Sequence, residues 1–180
     1  EFYLKDLMPE LVIVAEDSEN SVRTAAERLS IPVAEAKVLE GTPAGVFELF
    51  ESEESLSPST IDMEALVLHT SGTTSRPKVV PLLQRNIAAS VQNIASSIEL
   101  VSADHCLNIM PLFHIHGLFV GLFTALWSNA SVEFMTFEPT TVLNRLESGE
   151  ISVFMGVPTL YYRMLKSVGT TKLNVSRVRL

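Results

Sequence analysis

A single cysteine in 180 residues leaves no internal disulfide to staple the chain. Cys106 stands in an apolar run and reads as a small core side chain rather than a nucleophile. A reducing compartment is compatible with this, and the expected location is cytoplasmic, with the peroxisome as the alternative. Positive charge is scarce as well: 13 Lys plus Arg against 21 Asp plus Glu give a net charge of -8. Such a surface repels nucleic acid phosphates and anionic membranes, so nucleic acid is not an expected partner. No signal-peptide pattern opens the given sequence, since Glu1 to Asp6 is mixed and charged, but position 1 is not Met and the natural start is expected elsewhere, so targeting is not read from it. A repeat of fixed period is also lacking.

One absence of charge points the other way. From Leu107 to Val132 there is no Asp, Glu, Lys or Arg, and about 20 apolar residues would span a bilayer. Pro111, His114, His116, Gly117 and Gly121 interrupt the run, however, and Ser128-Asn129 close its continuous part, Leu118 to Trp127, at about half the needed length. A buried helix is the reading, and no membrane span is expected. With 47% hydrophobic and 19% charged residues, what remains is a folded chain the size of one ordinary domain or of a fragment of something larger.

Periodicity gives the organisation. Leu11 to Ala15 reads as a strand, with Asp17 and Ser18 as N-caps for a helix carrying Val22, Ala25, Ala26 and Leu29. Short strands follow at Lys37 to Leu39 and Val46 to Phe50. The polar stretch Glu51 to Ser59 then reads as a boundary, which divides the chain into 1-58 and 59-180. Beyond it come strands at Ala65 to His69 and Lys78 to Leu82, the latter confined to an edge by Pro81. A helix with Ile87, Val91, Ile94, Ala95 and Ile98 on one face is next. Cys106 to Met110, Val132 to Met135 and Ile151 to Val157 read as strands, and helices begin near Pro139, with Val142, Leu143 and Leu146 as the inner face, and at Pro158, with Tyr161, Met164, Leu165 and Val168 on one side. Arg177 to Leu180 looks like a strand cut short, as if the natural chain continued. Strands alternating with helices predict an α/β layered sandwich with a mainly parallel sheet flanked by helices.

Between two of those strands lies Thr70-Ser71-Gly72-Thr73-Thr74-Ser75-Arg76-Pro77-Lys78. A glycine lets backbone amides approach an anion, hydroxyls donate to phosphoryl oxygens, and Lys78 offers a point charge, so the loop suits polyphosphate. A cluster of Ser, Thr and Gly is also what a solvated turn looks like, and the residue types alone leave both readings open. The Walker loop does not fit. It needs Gly before its Lys and Ser or Thr after it, where Pro77 and Val79 stand, and a strand rather than a helix follows.

The string itself closely resembles the signature phosphate loop of the adenylate-forming superfamily of acyl-CoA ligases, luciferases and peptide-synthetase adenylation domains. A second block, Met110-Pro111-Leu112-Phe113-His114-Ile115-His116-Gly117-Leu118, resembles the next core motif of that family at about the expected distance. The likeness is good over Glu64 to Leu180, where Val157-Pro158-Thr159 also fits, and looser over Glu1 to Phe50. His69 to Lys78 followed by Pro81-Leu82 looks most like the oxalate- and medium-chain-type CoA ligases.

The resemblance implies ATP-dependent activation of a carboxylic acid to an acyl-adenylate and transfer to CoA, with ATP, magnesium and CoA as cofactors and co-substrates. It further implies that 59-180 is part of an AMP-binding core and 1-58 part of a first α/β subdomain, both within a large amino-terminal domain. Thr70, Ser71, Gly72, Thr73 and Thr74 would surround the phosphates, with Ser75 in the same loop and Lys78 steadying it or the pyrophosphate. His114 would lie near the acyl-adenylate and gate a channel. His114 and His116 also read as ordinary loop or core histidines, and as a metal pair they lack nearby acidic or Cys ligands, so no metal site is expected.

Two departures stand out. Ser75 and Val79 occupy positions where the family loop commonly has Gly; Ser75 recurs in the oxalate-type branch, whereas Val79 is less expected there. A β-branched residue forced to positive φ there would cost about 1–3 kcal/mol. The family's Tyr-Gly-x-Thr-Glu motif, ribose-binding Asp and mobile carboxy-terminal domain are absent from these 180 residues. The expectation is therefore an incomplete part of a ligase, inactive alone; the alternative is a truncated remnant acting as a weak nucleotide-binding or interaction module.

Overall fold

The computed structural model describes residues 1–16, 21–43, 45–49, 60–70, 77–169 and 172–179. The expected caps Asp17 and Ser18, together with the loop residues Ser71 to Arg76, lie outside them. The chain divides into two compact units, Glu1–Ser57 and Pro58–Leu180.

The first unit runs α1 (Phe2–Leu7), β1 (Val12–Ala15), α2 (Ser21–Arg28), β2 (Val33–Val38) and β3 (Phe47–Glu48). The strand β1 pairs with β2 in parallel and β2 with β3 antiparallel. The apolar run of β1 buries alternate residues, Val12 and Val14, while Ile13 is exposed, as a pleated strand covered on one face requires. Ala25 and Ala26 supply the buried face of α2, and the small core is Val12, Val14 and Ala26 with Leu4, Ile31 and Val33 against it. Val22, grouped with that face by its spacing, is exposed.

The second unit holds β4 (Glu64–Thr70), β5 (Lys78–Leu83), α3 (Gln84–Ser97), β6 (His105–Asn108), a π-helix (His116–Phe123), α4 (Thr124–Trp127), β7 (Ser131–Phe134), α5 (Pro139–Glu147), β8 (Val153–Phe154) and α6 (Pro158–Val168). Strands β4 and β5 make an antiparallel hairpin on which α3 packs. A parallel sheet in the order β7-β6-β8 has β6 at its centre.

Alternation along β6 decides the layers. Leu107 joins Val142, Leu143 and Leu146 of α5 and Met164 of α6 on one face, while Cys106 joins Ala95 of α3 and Ala125 of α4 on the other. Helices thus cover both faces of the parallel sheet, the α/β layered arrangement read from the sequence. The inner faces of α3 and α5 follow from period 3.6: Val91 and Ala95 are buried in α3, and Val142, Leu143 and Leu146 in α5. Pro139 at the first turn of α5 follows Glu138, whose carboxylate accepts from the amides of Thr140 and Thr141.

Further expectations change in the second unit. The apolar segment Leu118 to Trp127 is helical but opens as a π-helix, with the Thr124 hydroxyl donating to the Phe119 carbonyl at 2.7 Å, and Leu126 and Trp127 face outward. Leu165 is 70% exposed, so the buried side of α6 is narrower than its apolar spacing suggests. Arg177 to Leu180 contributes one bridge, Arg179 to Val153, rather than a strand among the described residues. Val79 sits in β5 opposite His69 and is not among the residues with positive φ, so the strain anticipated there does not arise. No helix of the described residues is long and apolar enough to cross a membrane.

At the amino end of β6 a polar knot ties sheet to helices. The Asp104 carboxylate is buried and accepts from the Arg179 guanidinium, from the Ser152 hydroxyl at 2.7 Å and from the Val101 amide at 2.9 Å. Arg179 also donates to the carbonyls of Ile98 and Glu99 at the end of α3. Burial alone would raise the Asp104 pKa, but these donors outweigh it and hold it below the usual value. A depressed folded pKa stabilises above the unfolded pKa, about 3.9, and that contribution disappears as pH falls through the folded value. Asp104→Asn should therefore cost about 1–3 kcal/mol at neutral pH. Thermal melts across pH should show its gap from the wild type closing below about pH 4; a gap constant down to pH 2 would contradict this assignment.

Candidate functional site

The hairpin fixes two of the sequence-derived site residues against each other. Thr70, last in β4, is the register partner of Lys78, first in β5, and the Lys78 amide donates to the Thr70 hydroxyl at 3.4 Å. Both are exposed. The base of the loop is therefore clamped by β pairing, and Lys78 leaves it beside Thr70. Ser71, Gly72, Thr73, Thr74 and Ser75 lie outside the described residues.

His114 sits elsewhere in the same unit. Beyond the carboxyl ends of β6 and β7 lies an open groove of about 760 Å³, lined by Asn108, Met110, Pro111 and His114 from the end of β6 and the segment after it, and by Phe134, Met135 and Phe137 from the end of β7 and beyond. Val157, Leu160 and Arg163, from the start of α6, complete it. The crevice outside the carboxyl ends of parallel strands is where ligands bind in open α/β sheets. Among the described lining residues only His114 and Arg163 carry ionisable groups, neither is acidic, and neither Thr70 nor Lys78 contributes. The Arg163 guanidinium lies over the Phe137 ring, 4.7 Å from its centroid, which holds a cation at the groove. The His114 imidazole stacks at a tilt on Phe113, 4.5 Å between centroids.

The loop that carries His114 is anchored at both ends. Asn108, 3% exposed, accepts from the Met110 amide at 2.9 Å and donates to the Gly117 carbonyl at 3.0 Å. Within the loop the His114 amide donates to the Pro111 carbonyl and the Leu118 amide to the His114 carbonyl. Gly117 and Gly121 are required by close approach: a Cβ on Gly117 would stand 2.3 Å from the Pro111 carbonyl oxygen, and one on Gly121 2.2 Å from the Asn108 Nδ2. The π-helix thus begins where the groove wall ends, a turn type often found at functional sites.

His116, the other histidine of the motif, is not part of this lining; its Nε2 is buried with no hydrogen-bond partner among the described residues. Cys106 is buried in the core and its thiol is pushed up to about 11 by burial, which leaves it an inert core residue. No group of three or more His, Cys, Asp or Glu among the described residues could hold a metal ion.

Arg163 and Asn108 were not singled out from the sequence. Arg163 lies on the polar side of a helix read for its apolar positions, and nothing local marks it. Asn108 did leave a signal, a polar amide inside an apolar strand, which needs a hydrogen-bonding reason to be buried.

Comparison with known proteins bears on this arrangement. The model of a family described as AMP-binding enzyme matches residues 1–180. An oxalate–CoA ligase from Arabidopsis thaliana is 35% identical over 173 residues, covering 92% of this chain and 34% of the relative. A mitochondrial malonate–CoA ligase from Mus musculus is 33% identical over 172 residues, covering 92% of this chain and 29% of the relative. Among solved structures, ATP-bound MatB from Rhodopseudomonas palustris superposes with a TM-score of 0.79 at 27% identity, covering 99% of this chain and 36% of that one. The chain thus spans about a third of the length of the relatives it matches.

Proposed function

The chain belongs to the AMP-binding enzyme family, and from that premise we propose that it serves as the phosphate-loop and acyl-groove portion of a full-length acid–CoA ligase. The observation that carries the reading is the groove at the carboxyl ends of the parallel strands, with His114 and Arg163 facing one apolar space. In the proposed reaction a carboxylate oxygen attacks the α-phosphorus of ATP, pyrophosphate leaves, and the CoA thiol then displaces AMP from the acyl carbon. Charge grows on the departing pyrophosphate during the first step, so donors fixed beforehand around it stabilise the transition state most. Thr70, Ser71, Gly72, Thr73, Thr74 and Ser75 would supply hydroxyl and amide donors, and Lys78 the charge. His114 would stand beside the acyl-adenylate at the groove. Magnesium would arrive on the nucleotide; the described residues hold no cluster to receive it. The cytoplasm is the proposed setting, with the peroxisome as the alternative.

The substrate class we propose is a short dicarboxylate. Two relatives are named for oxalate and malonate, and Arg163 brings a fixed cation to an otherwise largely apolar groove that holds no acidic residue among those described. One carboxylate would react while the other pairs with the guanidinium. Such a charge-assisted contact is worth about 1.5–3 kcal/mol. In the full-length protein, Arg163→Ala should lower kcat/KM for malonate or oxalate by roughly 10- to 100-fold and leave butyrate within about twofold. Pyrophosphate release with each acid measures this, and an equal loss for both acid types would remove the dicarboxylate assignment.

A further inference from the structure

We propose that Asn108 is the positioning residue of the groove: its carboxamide fixes the loop that carries His114, and so sets where the imidazole meets the acyl group. The proposal rests on the reading of this groove as the acyl site.

A buried amide is costly unless its donors and acceptors are used. Asn108 lies in a strand whose other interior residues are Cys106 and Leu107, positions where an apolar side chain would be the ordinary choice. Both ends of its carboxamide are committed, and to opposite ends of one segment. Oδ1 accepts from Met110, where the loop leaves β6, and Nδ2 donates to Gly117, where the loop enters the π-helix. His114 lies between those two anchor points. One side chain therefore sets the span of the loop, and the missing Cβ of Gly121 leaves the space that the amide fills.

The main-chain carbonyl of residue 108 separately accepts from the Met135 amide at 3.1 Å, and Met135 also lines the groove. That bond does not depend on the side chain, so what the Asn108 carboxamide joins is the start of the loop carrying His114 and the start of the π-helix. A group that acts through position alone has large leverage, because a misplacement of about 1 Å at a reacting centre can cost about 100-fold in rate.

The test is a double-mutant cycle in the full-length enzyme with Asn108→Ala, His114→Ala and the pair. Asn108→Ala should lower kcat/KM for the carboxylate by roughly 10- to 100-fold, with KM for ATP within about twofold. In the His114→Ala background the same change should cost less than about threefold, because its effect passes through the imidazole. Asn108→Asp keeps the acceptor for Met110, loses the donor for Gly117, and serves for the same cycle should the alanine variant not fold. Full additivity, or a lower Tm with unchanged kinetic constants, overturns the proposal. Amide exchange over residues 109–118 needs no turnover and should rise roughly tenfold in the variant relative to wild type. Unchanged exchange overturns positioning by itself, whereas a wild-type enzyme that releases no pyrophosphate with any acid overturns the ligase reading instead.

Discussion

Replacing Lys78 by alanine in the full-length protein is expected to lower ATP-dependent pyrophosphate release by roughly 10- to 100-fold, the span of about 1.5–3 kcal/mol for one charge-assisted contact. The loss should appear in kcat more than in the KM for ATP, because the charge on pyrophosphate grows during bond cleavage and a donor aimed there acts chiefly on the transition state. The position of Lys78 makes the prediction specific. It is the first residue of β5, paired with Thr70, so it leaves the loop from a clamped base. Removing an exposed side chain at a strand end should leave Tm nearly unchanged. Lys78→Arg keeps the charge and should recover part of the activity. A fall in Tm that accounts for the lost activity would assign Lys78 to the fold rather than to the phosphates.

Gly117→Ala should be strongly damaging, although Gly117 lies just past the groove lining, where the loop carrying His114 enters the π-helix. Its Cβ would fall 2.3 Å from the Pro111 carbonyl oxygen and 2.7 Å from that of Met110, both main-chain atoms that cannot rotate away. Overpacking of this kind costs about 1–3 kcal/mol, occasionally more, and here relief requires the loop carrying His114 to move. The expected result is a lower Tm together with a kcat/KM for the acid reduced by about 100-fold, as a displacement of about 1 Å at a reacting centre produces. Gly156→Ala is the control. Its Cβ would meet Tyr161 at 3.5 Å, an ordinary contact, and the variant should lose less than about 1 kcal/mol. Equal effects of the two substitutions, in melts and in turnover, would show that the Gly117 contact is not decisive.

Much of this architecture was legible from periodicity, and the exceptions share a physical cause. Elements whose neighbours lie in the same unit read well: Val91 and Ala95 on α3, Val142, Leu143 and Leu146 on α5, and the alternation that sends Cys106 and Leu107 to opposite faces of the sheet. Apolar spacing failed where it reports hydrophobicity without a local partner. Leu126, Trp127 and Leu165 carry the pattern of a buried face and are exposed. The π-register of His116 to Phe123 was not legible, since it goes with the Thr124 hydroxyl reaching the Phe119 carbonyl, with Gly117 against the Pro111 carbonyl and with Gly121 against the Asn108 amide.

The site divides along the same line. Two motifs carried the family, and strands were read on either side of the loop, but the first was ended at His69; the pairing of Thr70 with Lys78 extends it one residue into the motif. His114 was visible as part of a motif, but the groove it lines was not, because the rest of its lining comes in part from Met135 and Phe137 and its cation from Arg163. Those residues converge only when β7 and α6 are placed beside β6. The expected strain at Val79 came from the family loop rather than from the strand already read over Lys78 to Leu82; that strand forms, Val79 is its second residue without positive φ, and a β-branched side chain is favoured there.

The most direct measurement follows an oxygen atom. Incubating the full-length protein with ATP, CoA and malonate labelled with 18O in its carboxylates should give malonyl-CoA, pyrophosphate and AMP carrying one labelled oxygen. That oxygen attacks the α-phosphorus and stays with AMP when the thiol displaces it, as formation of an acyl-adenylate in the groove requires. Unlabelled AMP, or ADP with the label in inorganic phosphate, would contradict the account.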